Sequence, residues 1–117
     1  MVGQLDLLRG TLDLLVLKAL SFGPAHGYGV ARWIERATAE TLRIEEGSLY
    51  PALHRLEERG LVGAEWDISD NNRRAKFYRL TVQGRARLRH ETATFTRFAH
   101  AVFAALAAPA NPAPVEA

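Results

Sequence analysis

The chain has no cysteine among its 117 residues. That absence excludes disulfide staples, thiolate zinc sites, iron–sulfur clusters and cysteine nucleophiles together. A fold without them suits a reducing compartment, so a cytoplasmic location is expected. The histidines, His26, His54, His90 and His100, are scattered along the chain and lack the spacing of three or four residues that brings two imidazoles to one metal. No Gly-Lys-Ser/Thr occurs, GYGVA is not a phosphate-binding glycine loop, and Ser48 in EGSLYP lacks the following glycine of a nucleophile elbow. The sequence thus predicts neither an enzyme nor a bound metal or cofactor. Long apolar runs are also missing from the amino terminus, where Asp6, Arg9 and Asp13 interrupt the leucines, so neither a signal peptide nor a membrane span is expected.

What is present is ordinary for a folded chain, with 48% hydrophobic and 24% charged residues. That composition is remote from disorder, and one core fits a chain of this length. The formal net charge is only +2, yet it is unevenly spread. Between Ser69 and His90 stand Arg73, Arg74, Lys76, Arg79, Arg85, Arg87 and Arg89 against the single acid Asp70, a local net of +6 that leaves −4 for the remainder. Such asymmetry fits a polyanion partner, and a solvated arginine-rich helix face is the plainer alternative.

Apolar periodicity predicts a first helix from about Leu7 to Leu20, with Leu8, Leu12, Leu15, Val16 and Ala19 on one face and a stop at Gly23-Pro24. A second helix from His26 or Gly27 to about Ala37 places Val30, Ala31, Ile34 and Ala37 inward. The segment EEGSLYPALHRLEERG predicts a third, with Leu49, Ala52, Leu53 and Leu56 inward and Gly60 as its carboxyl cap. Pro51 suits only a first turn, where helix donors are unpaired, which sets the start near Gly47 or Ser48. Ser48, Pro51, His54, Arg55 and Glu58 then face away from the leucines, with Tyr50 at the edge.

Leu61–Trp66 and Lys76–Leu80 flank the polar ISDNNRRA and predict a β-hairpin in which Asn71 and Asn72 supply the turn. Thr81 caps a last helix to about Ala107, and the tail PANPAPVEA is expected to be disordered. In that helix Leu88, Thr92, Phe95, Ala99, Val102 and Leu106 recur at spacings of 4, 3, 4, 3 and 4, with Phe98 and Phe103 widening the stripe. The stripe fits a second helix. Phe95, Phe98, Val102 and Leu106 are the expected dimer contacts, with Leu5 and Leu8 near the amino terminus packing beside them.

The expected fold is therefore mainly α with a small β-hairpin. It divides into a winged helix-turn-helix (1–80), a long dimerisation helix (81–108) and the tail (109–117). In that order of elements the third helix enters a major groove of double-stranded DNA, and Arg73, Arg74 and Lys76 sit on the wing, where neutralising phosphates releases counterions.

These segments resemble the PadR-like transcriptional regulators over nearly the whole chain: LRGTLDLLVLKAL in the first helix, HGYGVA opening the second, GSLYPALHRLEERGLV through the third, and KFYRLTVQGRARL entering the last. The resemblance implies a homodimeric winged-helix repressor of the short branch, with one helix after the wing. It places Ser48, Tyr50 and Pro51 at the groove end of the recognition helix and His54 and Arg55 in the next turn. Ser48 and Tyr50 suit phosphates, Pro51 a thymine methyl, and Arg55 either a phosphate or a guanine edge. Members often carry lysine where His54 stands, and glycine or proline in the wing where this chain reads DNNRRAK. The family also includes sensors of small aromatic or drug-like molecules, for which Trp33 and Trp66 are the aromatic candidates against their plainer reading as core. No effector is identified. The rival reading is a winged helix that binds a protein instead of DNA.

Overall fold

Three short helices close on one core because their apolar residues return at helical spacing, and a long fourth helix leaves that core behind. The computed structural model describes residues 9–68 and 70–114. Helix α1 (Arg9–Leu20) is followed by strand β1 (Ala25–His26), α2 (Gly27–Ala37), α3 (Glu46–Glu58), β2 (Val62–Ile68), β3 (Arg74–Leu80) and α4 (Val82–Ala107). Val16, Leu17 and Leu20 of α1, Val30 and Ile34 of α2, and Leu49, Leu53 and Leu56 of α3 are fully buried. Truncating any of these leucines to alanine removes about 2–5 kcal/mol. This is a winged helix: the helices form one layer, and the hairpin β2–β3 extends from its edge.

Local signals explain the boundaries. Ser21 N–H donates to the Lys18 carbonyl at 3.0 Å to end α1, and the Gly29 N–H donates to His26 Nδ1 at 3.0 Å to cap α2. Between α2 and α3, the Glu35 carboxylate accepts from the Ile44 N–H at 3.1 Å and from Arg32 at 2.8 Å. Those contacts, the Ile44 amide foremost, hold its carboxyl below the usual range. At the end of α3, Gly60 takes φ 74°, its N–H reaches the Glu57 carbonyl at 3.0 Å and the Leu61 N–H reaches Leu56 at 2.9 Å, the paired bonds of a glycine-terminated helix.

The sheet has three strands in the order β1-β3-β2, all antiparallel, where the sequence predicts only a hairpin. β1 pairs Ala25 with Tyr78 and His26 with Phe77; two residues carry no alternation that a sequence can display. The long strands each reach two residues further toward the tip than expected, and Asn72 supplies the left-handed turn residue at φ 61°. α3 begins at Glu46, one residue early, so Pro51 lies inside the helix and not in its first turn. Its outward position makes the missing N–H tolerable, because water reaches that side of the turn. Leu5 and Leu8 lie outside the described residues, and 109–114 form neither helix nor strand.

α4 leaves the core at a tight crossing. Thr81 Oγ1 accepts from the Gly84 N–H at 3.0 Å while its own hydroxyl donates to the Gly60 carbonyl at 2.7 Å. The Thr81 N–H donates to the Leu61 carbonyl at 3.1 Å, and any Cβ on Gly84 would strike that same carbonyl. Leu88 packs on the core, and most of the helix beyond it is exposed among the described residues; the molecule measures 60 × 32 × 20 Å. Gly84→Ala is expected to cost about 1–3 kcal/mol through this clash, read as a lower urea midpoint. An unchanged midpoint would mean that the start of α4 shifts freely.

Candidate nucleic-acid interface

The outer face of α3 lies opposite its leucines, as helical spacing dictates. Gly47, Pro51, His54 and Glu58 are exposed along it, and Tyr50 is exposed on the flank toward the hairpin. Ser48 and Arg55 lie half-buried on the other flank, toward α1. There Arg55 Nη2 meets Asp13 Oδ1 at 2.8 Å, which ties α3 to α1. His54 Nε2 stands 3.3 Å from Glu58 Oε2, one turn further along.

The register of the hairpin sets a second surface beside that helix. Trp66 pairs with Lys76, Ile68 with Arg74 and Ala64 with Tyr78, so these six share one face. At its base Tyr78 is buried, and that burial pushes its hydroxyl pKa up. Lys76 Nζ stands 5.5 Å over the Tyr78 ring and 3.3 Å from Glu57 of α3, so this face looks toward the recognition helix. Further out the same face leaves the helical layer: Trp66 and Ile68 are each 58% exposed, and the Arg74 guanidinium sits 4.9 Å over the Trp66 ring. Trp66 is therefore not core, whereas Trp33 packs half-buried against Phe22 at 5.5 Å. Among the described residues, Trp33 does not line the cleft that Trp66 borders.

Between hairpin and helices runs an open cleft of about 690 Å³, bordered by Tyr28, Tyr50, Trp66, Arg73, Arg74 and Lys76. Gly27 shapes its floor, because a Cβ there would lie 2.7 Å from the Tyr50 hydroxyl; without one, Tyr50 crosses the start of α2. Sequence reasoning missed Tyr28 and His26, which reach the cleft because β1 anchors them to β3. The signal was the Gly23-Pro24 stop, with only Ala25 before HGYG, which leaves little slack between the turn and α2.

The basic run does not form one patch. Arg73, Arg74 and Lys76 stand on the hairpin side of the cleft. Arg79 points from the opposite face of β3, over Gly63. Arg87 pairs with Glu91 at 3.2 Å on α4 and lines, with Asp13 and Arg59, a separate groove of about 150 Å³. Along α4 the expected stripe is open to water: Phe95, Phe98, Val102, Phe103 and Leu106 are all exposed, Leu106 by 78%. Among the described residues no cluster of His, Asp or Glu suits a metal ion, and no helix is long and apolar enough to cross a membrane.

Comparison with known proteins bears on the family and the fold. Residues 16–90 match the model of the transcriptional regulator PadR-like family. The chain is 32% identical over 94 residues to a transcriptional regulator of Mycobacterium tuberculosis, spanning 80% of this chain and 84% of that protein. Among solved structures it resembles a PadR family transcriptional regulator from Eggerthella lenta at 35% identity and a TM-score of 0.75, covering 90% of this chain and 89% of the other. A transcriptional regulator from Clostridium thermocellum is similar at 27% identity and a TM-score of 0.75, over 83% and 94% of the two chains.

Proposed function

The chain belongs to the PadR-like family of transcriptional regulators, which are not enzymes, and from that premise we propose that it is a homodimeric, sequence-specific DNA-binding repressor. One observation carries the reading: Tyr50, on the hairpin flank of α3, and the basic tip of the hairpin border the same cleft, with the exposed outer face of α3 adjoining it. A duplex seated there receives α3 in its major groove while the hairpin reaches the adjoining backbone. Pro51 and His54 meet base edges, and the backbone ridge lies in the cleft under the hydroxyls of Tyr28 and Tyr50 and the cations of Arg73, Arg74 and Lys76. Arg55 and Ser48 flank this contact from the α1 side, where the pairing of Arg55 with Asp13 favours a phosphate over a guanine edge as its partner.

On this reading residues 1–80 are the DNA-binding unit and α4 is the dimerisation helix. A helix of 26 residues is roughly 39 Å long, and its apolar stripe from Phe95 onward has no cover among the described residues. A second copy supplies that cover most simply, and it also supplies the second recognition helix that a pseudo-palindromic site requires. The action is cytoplasmic, where the DNA is.

Replacing Arg73 and Arg74 together by alanine is expected to weaken binding to specific and scrambled duplexes alike and to lower the slope of log K against log salt by roughly two. Fluorescence anisotropy over a salt series reads both quantities; a loss confined to the specific duplex would mean that these arginines read sequence, and salt-insensitive binding of a protein through this face would replace the DNA reading. Phe95→Asp with Val102→Asp is expected to give monomers in sedimentation, with operator affinity lower by at least about a hundredfold. A double variant that still sediments as a dimer would place the interface elsewhere.

A further inference from the structure

Gly47 is a helical residue that the fold does not need to be glycine. It lies in the first turn of α3 with φ outside the left-handed region, it is exposed, and a Cβ added there meets nothing within 4 Å among the described residues. The helix glycines at 27 and 84 differ, since each faces a neighbour that a Cβ would strike, and Gly29 is in contact with His26. Gly10 is equally open but adjoins residues outside the description. Glycine weakens a helix relative to alanine, so position 47 gives up stability for no contact inside the chain.

One turn further along stands a second residue that a helix does not favour. Residue 51, which in a helix donates its N–H to the carbonyl of residue 47, is a proline and has none to give. The Gly47 backbone thus carries no side chain, and the Pro51 ring stands over its carbonyl where a helical N–H would be. Both residues lie on the outer face, in line with His54 and Glu58.

We infer that Gly47 is the point of closest approach between the recognition helix and the base edges of the operator. The missing side chain lets the first turn of α3 sink onto the floor of the groove, so that helix backbone and not a side chain borders the base edges there. This inference rests on the DNA-binding reading above, and it adds a specificity-determining position that acts through its lack of a side chain. Backbone contact with phosphates alone would leave sequence preference untouched; contact with base edges makes it depend on the size of residue 47.

The test compares the wild-type protein with Gly47→Ala and Gly47→Leu, both compatible with a helix. Wild-type protein first enriches duplexes from a randomised pool, and anisotropy then measures all three proteins on an enriched duplex and on its scrambled counterpart. The expected result is a melting temperature equal to or above that of wild type in both variants, affinity for the enriched duplex lower by about tenfold in Gly47→Ala and further in Gly47→Leu, and binding to the scrambled duplex within about twofold of wild type. Because the variants are no less stable, misfolding cannot mimic that pattern. Unchanged affinity for the enriched duplex in both variants overturns the inference alone, as does an equal loss on both duplexes. A wild-type protein that enriches nothing overturns the DNA reading itself.

Discussion

The crossing of two backbone segments, Gly60-Leu61 beneath Thr81–Gly84, fixes the geometry of the whole molecule. Gly60 ends the recognition helix in a left-handed turn, Leu61 passes its carbonyl to the Thr81 N–H, and the Thr81 hydroxyl joins the Gly60 carbonyl to the Gly84 amide. Only glycine at position 84 leaves room for that approach. The end of α3, both ends of the hairpin and the start of α4 therefore meet within a few residues. The direction in which α4 leaves is thus rigidly related to the direction in which α3 points. If α4 joins two copies, the separation of their recognition helices is set here, by short backbone hydrogen bonds in place of a flexible linker.

Around that fixed point the chain departs from local rules only on its outward surfaces. The core obeys them: leucines at helical spacing, caps at His26, Gly60 and Thr81, and no buried side-chain nitrogen or oxygen without a partner among the described residues. Ala39 and Glu40, left-handed in the loop after α2, and the exposed Phe22 and Val82 are exceptions away from the proposed contacts; the others are a bare glycine and a proline on the outer face of α3, a tryptophan and an isoleucine left in water on the hairpin, and a phenylalanine-rich stripe on α4. Each of these last three lowers the stability or solubility of a lone chain, and each lies where the proposed DNA or second copy would sit. Concentration of rule-breaking at binding faces is the expected pattern for a sequence whose remaining choices all favour one fold.

Most of the architecture was legible because it rests on local, periodic signals. The leucines of α3, Thr81 as a cap and Gly60 as a stop are each decided within one or two turns of chain. Strand β1 was not legible, because two residues carry no alternation and its existence depends on β3, some fifty residues away in sequence. The basic run was legible as charge but not as a surface: seven cations close in sequence are parted by the pleat of β3 and the turn into α4, so Arg79 and Arg87 leave the hairpin cleft altogether. Arg55 shows the same limit. Its outward spacing was readable, yet Asp13, forty-two residues away, decides which way its guanidinium points. Pro51, His54 and Glu58 lie outward as read, whereas Ser48 and Arg55, read onto the same face, are half-buried beside it; Gly47 passed unnoticed, since a sequence does not reveal that a glycine has open space around it.

The most direct test of this account is a hydroxyl-radical footprint of the wild-type protein on a duplex that it has enriched from a random pool. A rigid α3–α4 relation in a two-fold dimer predicts two protected segments of equal strength on one face of the helix, their centres about one helical turn, roughly ten base pairs, apart. A single protected segment, or two whose separation varies from one enriched duplex to another, would contradict it.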